Sequence, residues 1–279
     1  MGKRVFYHQY DAPLMVPTLY FPFLVPQYSL KMGVMPLGVG ASVIERDGDT
    51  VSELAVKAQL LLEMPGYYDQ ALPGSEQAQR EVGQVLGLAG ETLAEMGRTV
   101  AEDLLILRAD GEQELIAGHL CFANGWCLDD KLGKPLLEIH APVPGYAEKL
   151  GPPTRSLLER LKPGRPVGRL NWSVKPTDRL DLSSRWSGWL RERCAEVTAE
   201  NAGERCFLRV ERQTLTALPE SGCVLFALHT YQQALGTLSL EQRALVRGVL
   251  ETAPAEMLDY KRISRFLGSA LRWLRVSSQ

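Results

Sequence analysis

The sequence predicts an α+β fold, in which helices and strands occupy separate parts of the chain. Apolar residues recur at helical spacing between about residues 50 and 101, short apolar or alternating runs follow between residues 104 and 231, and helical spacing returns from residue 239 to 276. This segregation is typical of a mostly antiparallel sheet with N-terminal and C-terminal helices packed around it, because a doubly wound α/β fold alternates strands with helices. The 279 residues show no repeat and no low-complexity linker, so we expect residues 1–279 to form a single domain.

The first 48 residues or so are predicted to form an extended arm. Residues 13–38 hold five prolines, and proline interrupts helices and central strands alike. We expect the aromatic residues of the arm to pack on the body of the protein, with a role in roofing a pocket left open as an alternative.

Helical spacing predicts five helices, over residues 50–64, 75–88, 91–101, 239–251 and 257–276. Thr50 is expected to cap the first helix, with Glu53 as its capping-box partner, and Ser75 is expected to cap the second. Ser239 and Gln242 are placed to form a capping box on the fourth. The last helix is basic and amphipathic, and we expect its apolar face to dock on the sheet.

Strands are predicted over residues 104–107, 114–123, 135–139, 170–174, 206–211 and 222–231. The turn Ala109-Asp110-Gly111 joins the first two as a hairpin, and residues 212–222 are expected to connect the last two. A short helix is expected over residues 155–161. For residues 185–197, helix and irregular insertion both stay open.

Composition excludes several classes of protein. The formal net charge of −2 favours neither nucleic acid nor a membrane surface, and no apolar run has the length of a spanning helix. The start MGKRVF lacks the apolar core of a signal peptide, so a cytoplasmic location is expected. The five cysteines form no CxxC pair, which argues against a zinc ribbon, an iron–sulfur cluster, a disulfide framework and covalent haem attachment.

His140 is a candidate metal ligand. It follows the predicted strand 135–139, and Pro142 forces an extended backbone at the residue before it. A histidine on stiff backbone suits a ligand because its ring direction is set in advance; the alternative is a histidine that hydrogen-bonds within a loop. A facial iron triad of His119, Glu138 and His140 is a further alternative.

A second candidate site lies on the strand over residues 206–211. Alternation places Arg209 and Glu211 on one face of this strand. They form either a structural ion pair or part of a cavity in which Arg209 or Arg212 holds a carboxylate. His229, near the end of the next strand, is expected to be structural.

Four blocks of the sequence together resemble the alpha subunit of the haem-dependent oxidative N-demethylases. The blocks are residues 31–62, residues 122–146 with the segment IHAPVPG, residues 169–172 with RLNW, and residues 210–231 with ERQTL. They fall within about residues 28–235, and IHAPVPG and ERQTL are the most specific of these segments.

The resemblance implies a PAS-like sheet that holds non-covalent b-type haem and uses dioxygen to demethylate a small secondary amine, as a haem-dependent monooxygenase. It also implies that electrons come from NADPH through separate reductase subunits, which carry the FMN and the 2Fe-2S cluster. By matching position it implies roles for six residues: His140 as axial iron ligand, Lys131, Arg209 and Arg212 as partners of the haem propionates, and Trp172 and Glu211 as pocket wall and ammonium-binding group.

Two other functions stay open at this point. A non-catalytic haem-binding PAS-like sensor or carrier would need an output module, and none is visible in the sequence. A structural relative that has lost its haem would keep the scaffold and its aromatic packing without the cofactor.

Overall fold

The computed structural model describes residues 20–38, 41–45 and 50–276, and within them the chain forms one antiparallel sheet surrounded by helices. The strands are β1 (Met35–Pro36), β2 (Asp69–Ala71), β3 (Asp103–Arg108), β4 (Leu115–His119), β5 (Val167–Lys175), β6 (Phe207–Leu218) and β7 (Cys223–Ala234). The α-helices are α1 (Val51–Glu63), α2 (Glu76–Leu86), α3 (Leu93–Gly97), α4 (Leu128–Lys131), α5 (Leu136–Ile139), α6 (Tyr146–Lys149), α7 (Gly151–Arg160), α8 (Ser187–Ala195), α9 (Ala202–Arg205), α10 (Leu240–Thr252), α11 (Ala255–Tyr260) and α12 (Leu267–Val276). The predicted α+β fold class is confirmed.

The strands lie in the order β1-β5-β6-β7-β3-β4-β2, and every neighbouring pair is antiparallel. Residues directly opposite each other in such a sheet share a face, and the faces alternate along each strand. Glu211 lies opposite Asn171 on β5 and opposite Thr230 on β7, so these side chains share one face, which we call the front face. Trp172 and Arg212, each one residue further along, therefore belong to the back face.

Helices cover both faces of the sheet. On the back face, one hydrophobic cluster joins β5–β7 to α10–α12, and a second joins β3 and β4 to α2 and α3. On the front face, a third cluster joins the sheet to α4, α5 and α7 through Leu128, Leu136 and Leu158. The chain between β4 and β5 thus lies in front of the sheet and encloses a cavity there.

The described part of the N-terminal arm packs on the body as predicted. Tyr20, Phe21, Phe23 and Tyr28 join the back-face cluster, and the Phe23 ring meets Trp172 edge-on with 5.0 Å between the ring centroids. Further along the arm, β1 pairs with the start of β5. The predicted arm also includes residues 1–19, 39–40 and 46–48, which lie outside the described residues.

The strand predicted over residues 135–139 is wrong, because the chain forms the one-turn helix α5 there. Pro135 is its N-cap, and the N–H of Ile139 donates to the Pro135 carbonyl at 2.9 Å. Pro142 restricts only the residue before it, so its position leaves residues 136–139 free to form a helical turn. His140 therefore lies at the C-terminal end of a helix rather than at the end of a strand.

Other boundaries also differ from the sequence prediction: the third helix is Leu93–Gly97, the second predicted strand is Leu115–His119, and the short helix is Gly151–Arg160. Most of the connection predicted over residues 212–222 is strand, since the β6–β7 ladder is unbroken from Phe207 opposite Ala234 to Leu218 opposite Cys223. The final helix is divided into α11 and α12, and Arg262 between them has a positive φ of 59°. Residues 185–197, whose type the sequence left open, contain a short 3-10 turn followed by α8.

One of the three predicted side-chain caps forms, and two do not. The capping box of Ser239 and Gln242 is confirmed, with Gln242 N–H donating to Ser239 Oγ at 3.1 Å. Thr50 and Ser75 precede their helices, but neither side chain caps the backbone, so the predicted capping box with Glu53 is wrong. Within the described residues, no helix is both long enough and apolar enough to cross a membrane.

Candidate functional site

A cavity of about 390 Å³ lies between the front face of the sheet and the segment α4–α7. Its volume is within the range of small-molecule and cofactor sites, which are concave and mostly apolar with a few polar groups. The apolar part of the wall comprises Leu105, Leu107, Leu115, Leu136, Ile139, Leu157, Leu158, Leu215, Phe226 and Leu228. Met32 and Val34 of the N-terminal arm also line it, so the arm helps to roof a pocket.

His140 contributes an uncharged imidazole to this wall. Its Nδ1 lies 2.9 Å from the Leu136 carbonyl oxygen, which can only accept, so Nδ1 carries the proton and Nε2 carries the lone pair. Burial lowers the pKa of His140 to about 4, and the charges of Lys131 and Arg169 act in the same direction. The ring stacks on Tyr146 with 4.2 Å between centroids. A neutral ring whose Nδ1–H is held by a carbonyl is the form in which histidine binds a metal through Nε2.

Glu211 is the one acidic side chain among the described residues that line the cavity. Three amide groups donate to its carboxylate, from Asn124 at 3.2 Å, Asn171 at 3.1 Å and Gln213 at 3.0 Å. Burial alone would raise the pKa of Glu211, but Arg209 and these amides outweigh it and hold the pKa below its ordinary value. The carboxylate is therefore ionised.

Basic side chains are the most numerous charged groups of the wall: Lys131, Arg169, Lys175, Lys261 and Arg262. The ammonium of Lys131 lies 4.0 Å from the centre of the Trp126 ring. Burial lowers the pKa of Lys131 to about 8 and that of Lys175 to about 7. Lys175 donates to the Lys261 carbonyl at 2.9 Å. A cavity with this balance of charge attracts anions.

Lys131, His140 and Glu211, which the sequence singled out, all line the cavity. Arg209 lies beside Glu211 on the same face of β6, with its Nε 3.7 Å from Oε1, and donates to the carbonyls of Leu180 and Phe122. The structure thus brings three of the six predicted residues together at the cavity, and a fourth, Arg209, contacts one of them without lining the cavity.

Trp172 and Arg212 lie on the back face instead. Trp172 packs against Phe23, and Arg212 donates to the Val43 carbonyl at 3.2 Å and lies 3.5 Å from Glu45. The cause is the alternation of the strands, since residues 172 and 212 have the opposite parity to residues 171 and 211.

The structure does not assemble the alternative iron triad. Glu138 is exposed and pairs with Lys134 at 3.2 Å. His119 does not line the cavity; its Nδ1 lies 2.6 Å from Asp69, and its Nε2 lies 3.6 Å from the Cys121 sulfur.

Three basic residues that line the cavity, Arg169, Lys175 and Lys261, were not among the site residues predicted from the sequence. For the first two a signal was present, because Arg169, Asn171, Ser173 and Lys175 alternate along β5 and so share the front face with Glu211. For Lys261 there was none, since it followed the pattern of a solvent-facing residue on the predicted last helix.

The fold and the cavity together define an α+β protein with an enclosed apolar site, a neutral histidine on its wall and an excess of basic groups. The sequence of residues 88–271 matches the family model described as haem-dependent oxidative N-demethylase, alpha subunit-like. The match extends over well more than half of the 279 residues, and the chain belongs to this family.

The residues of the cavity suit the haem that the family name implies. Nε2 of His140 is available to an iron ion, the leucine-rich walls suit a porphyrin ring, and Lys131 has no anionic partner among the described residues other than the distant charges of Glu211 and Asp130. His140 would hold the iron, and Lys131 would pair with a haem carboxylate.

Proposed function

We propose that this chain is a haem-binding catalytic subunit that demethylates a secondary amine with dioxygen, using electrons from separate reductase subunits. The observation that carries the proposal is the state of His140, a neutral ring on the cavity wall whose Nδ1–H is fixed by Leu136 and whose Nε2 has no hydrogen-bond partner among the described residues. Family membership supports the same reaction class.

The fold around the cavity supports a PAS-like description. Numbered by chain position, the five central strands β3–β7 lie in the order 2-1-5-4-3, and the helices α4–α7 come between the second and the third of them. We propose that the sheet is PAS-like and that these helices are the part of it that encloses the haem.

His140 would hold the haem iron, and bound haem would supply the activation of dioxygen. The Leu136 carbonyl fixes the tautomer and ring direction of His140, so the ligand is oriented before the metal binds. The apolar walls would limit the contact of the reacting groups with water. We propose that Glu211, held ionised by Arg209 and three amides, binds the ammonium of the amine.

The reductase chemistry is assigned to partner subunits. The sequence has no CxxC pair for an iron–sulfur cluster and no dinucleotide motif after a strand. We propose that NADPH, FMN and a 2Fe-2S centre reside on those partners, as the designation alpha subunit-like suggests.

The first test is an absorbance spectrum of protein produced with ample haem precursor, before and after dithionite. We expect a Soret band that shifts on reduction and shifts again with carbon monoxide. His140→Ala should weaken haem binding by more than the roughly 10–100-fold that the loss of an outer-shell partner costs. Glu138→Gln is the matched control, because Glu138 is exposed, lies two residues away and does not line the cavity.

Two outcomes would contradict the proposal. A colourless protein that takes up no added haemin would exclude a haem function. Haem binding with no formaldehyde released from any N-methylamine in the presence of a reductant would support a sensor or carrier instead.

A further inference from the structure

The cavity carries more positive charge than a haem and a simple amine would balance. Among the described residues, five basic side chains line it against one carboxylate, and Arg209, on the same face of β6, already pairs with that carboxylate. The two carboxylates of a haem would offset only two of the five. Isolated buried charges are unfavourable, and a cleft lined by one sign of charge concentrates ligands of the opposite sign.

Arg169 is the basic residue with the fewest partners. Its side chain makes no hydrogen bond or ion pair among the described residues, and its Nε is a buried donor without an acceptor. Burial lowers the pKa of its guanidinium, while Glu211 and Tyr146 oppose that shift. A planar guanidinium with unused donors is the group best suited to bind a carboxylate in two parallel hydrogen bonds.

Lys261 and Glu211 both contact Asn171, and Arg169 lies two residues before Asn171 on the same face of β5. Asn171 links the two charges, since its Nδ2 donates to Glu211 at 3.1 Å while its Oδ1 accepts from Lys261 Nζ at 3.5 Å. Burial lowers the pKa of Lys261 to about 8; Glu211 opposes that shift and Arg169 adds to it. The acid and the two bases are therefore close enough to contact one small ligand.

We propose that Arg169 and Lys261 form a carboxylate-binding subsite, and that the substrate is an N-methylated amine that also carries a carboxylate. Glu211 binds its ammonium, and the basic pair binds its carboxylate. This inference rests on the proposed function for the chemistry at the amine, whereas carboxylate binding is measured without turnover.

Two probes that differ by one carboxylate test the subsite. N-methylglycine is dimethylamine with a carboxylate on one methyl group, and calorimetry gives the Kd of each for the haem-loaded protein. We expect N-methylglycine to bind at least about tenfold more tightly, because a hydrogen-bonded charge pair is worth that much or more.

Substitutions of the two basic residues test whether they are the groups that bind the carboxylate. Arg169→Gln should weaken N-methylglycine binding about ten- to a hundredfold without weakening dimethylamine binding, and Arg169→Lys should restore part of the loss. Lys261→Gln should act in the same direction, although it also removes a hydrogen bond to the Trp172 carbonyl. Lys162→Gln is the control, because Lys162 is exposed and does not line the cavity.

Equal affinities for the two probes would overturn the inference, and so would unchanged N-methylglycine binding in both Arg169→Gln and Lys261→Gln. If Arg169→Gln instead lowers haem retention and the probes bind equally, the subsite serves a haem carboxylate and the proposed substrate class is wrong. A chain that takes up no haem but still prefers N-methylglycine would contradict the proposed function and leave the carboxylate subsite intact.

Discussion

Nε2 of His229 lies 3.1 Å from Oε1 of Glu53 and joins β7 to α1 on the back face of the sheet. The other ring nitrogen lies 3.2 Å from Glu102 and 3.3 Å from Glu45. Because carboxylates only accept hydrogen bonds, the ring satisfies both sides only when both nitrogens are protonated. Burial opposes this charge, but the hydrogen bonds to Glu102 and Glu53 outweigh it and raise the pKa of His229 to about 9.

The charged state of His229 makes stability depend on pH. Its pKa is raised above the unfolded value of about 6.5, so its stabilising contribution is complete below about pH 6.5 and is lost as the pH rises through about 9. The contribution is on the order of 3 kcal/mol. We expect His229→Gln to lower the free energy of unfolding at pH 7 by about 3–5 kcal/mol, because it leaves buried carboxylates unpaired.

The measurement is urea unfolding of the wild type and His229→Gln between pH 6 and pH 10. The difference between the two free energies should shrink as the pH rises. The variant is compared with the wild type because other groups also make the stability of both proteins depend on pH. Burial lowers the pKa values of Lys131, Lys175 and Lys261, so these residues contribute stability that increases with pH. A difference that stays constant over this range would show that His229 is neutral.

Arg209 is expected to act on folding more than on ligand binding. Its side chain is 0% exposed and donates to the carbonyls of Leu180 and Phe122. Arg209→Gln should lower the free energy of unfolding by about 3–5 kcal/mol, since the buried carboxylate loses its cation. Arg191→Gln, at an exposed position, should change it by less than about 0.5 kcal/mol.

Haem titration of the Arg209→Gln variant measures how much the same substitution changes haem affinity. A large loss of haem affinity with unchanged stability would show that Arg209 holds a haem carboxylate, as the family resemblance implies.

Gly97 allows α3 to pack directly on His119. A Cβ atom at position 97 would lie 2.2 Å from ring carbons of His119, and that ring is fixed by Asp69 at 2.6 Å. Gly97→Ala should therefore lower stability by about 1–3 kcal/mol, despite the better helix propensity of alanine. Gly188→Ala is the control, because a Cβ there meets nothing within 4 Å. If thermal unfolding gives the same melting temperature for Gly97→Ala and Gly188→Ala, the His119 ring moves to accommodate the added methyl group without a loss of stability.

Much of the sheet could be predicted because alternation and turn residues are local signals. The pairing of Arg209 with Glu211 follows from strand parity alone, and the structure has the two side chains 3.7 Å apart. The same parity separates Trp172 and Arg212 from the front face once Asn171 is known to lie opposite Glu211. That register is set by contacts between residues distant in sequence. A strand considered alone therefore does not show which of its two faces is the front face of the sheet.

The helices that enclose the cavity were harder to predict. α4, α5 and α6 are each four residues long, which is too short for a helical period to show in the sequence. Their conformation depends on packing against the sheet rather than on their own propensity. Lys261 illustrates the same limit, because the break between α11 and α12 turns it inward and no neighbouring residue signals that turn.

The N-terminal arm touches both faces of the sheet. Phe23 packs against Trp172 on the back, and Met32 and Val34 line the cavity in front, on either side of β5, and β1 of the same arm pairs with the start of β5 to form this edge of the sheet. A ligand that contacts Met32 or Val34 contacts the segment that shields this edge, so for such a ligand occupancy and local opening of the edge are thermodynamically linked. Amide hydrogens at the start of β5 would therefore exchange with solvent more slowly when a ligand is bound. Their exchange rate would then show whether the cavity is occupied.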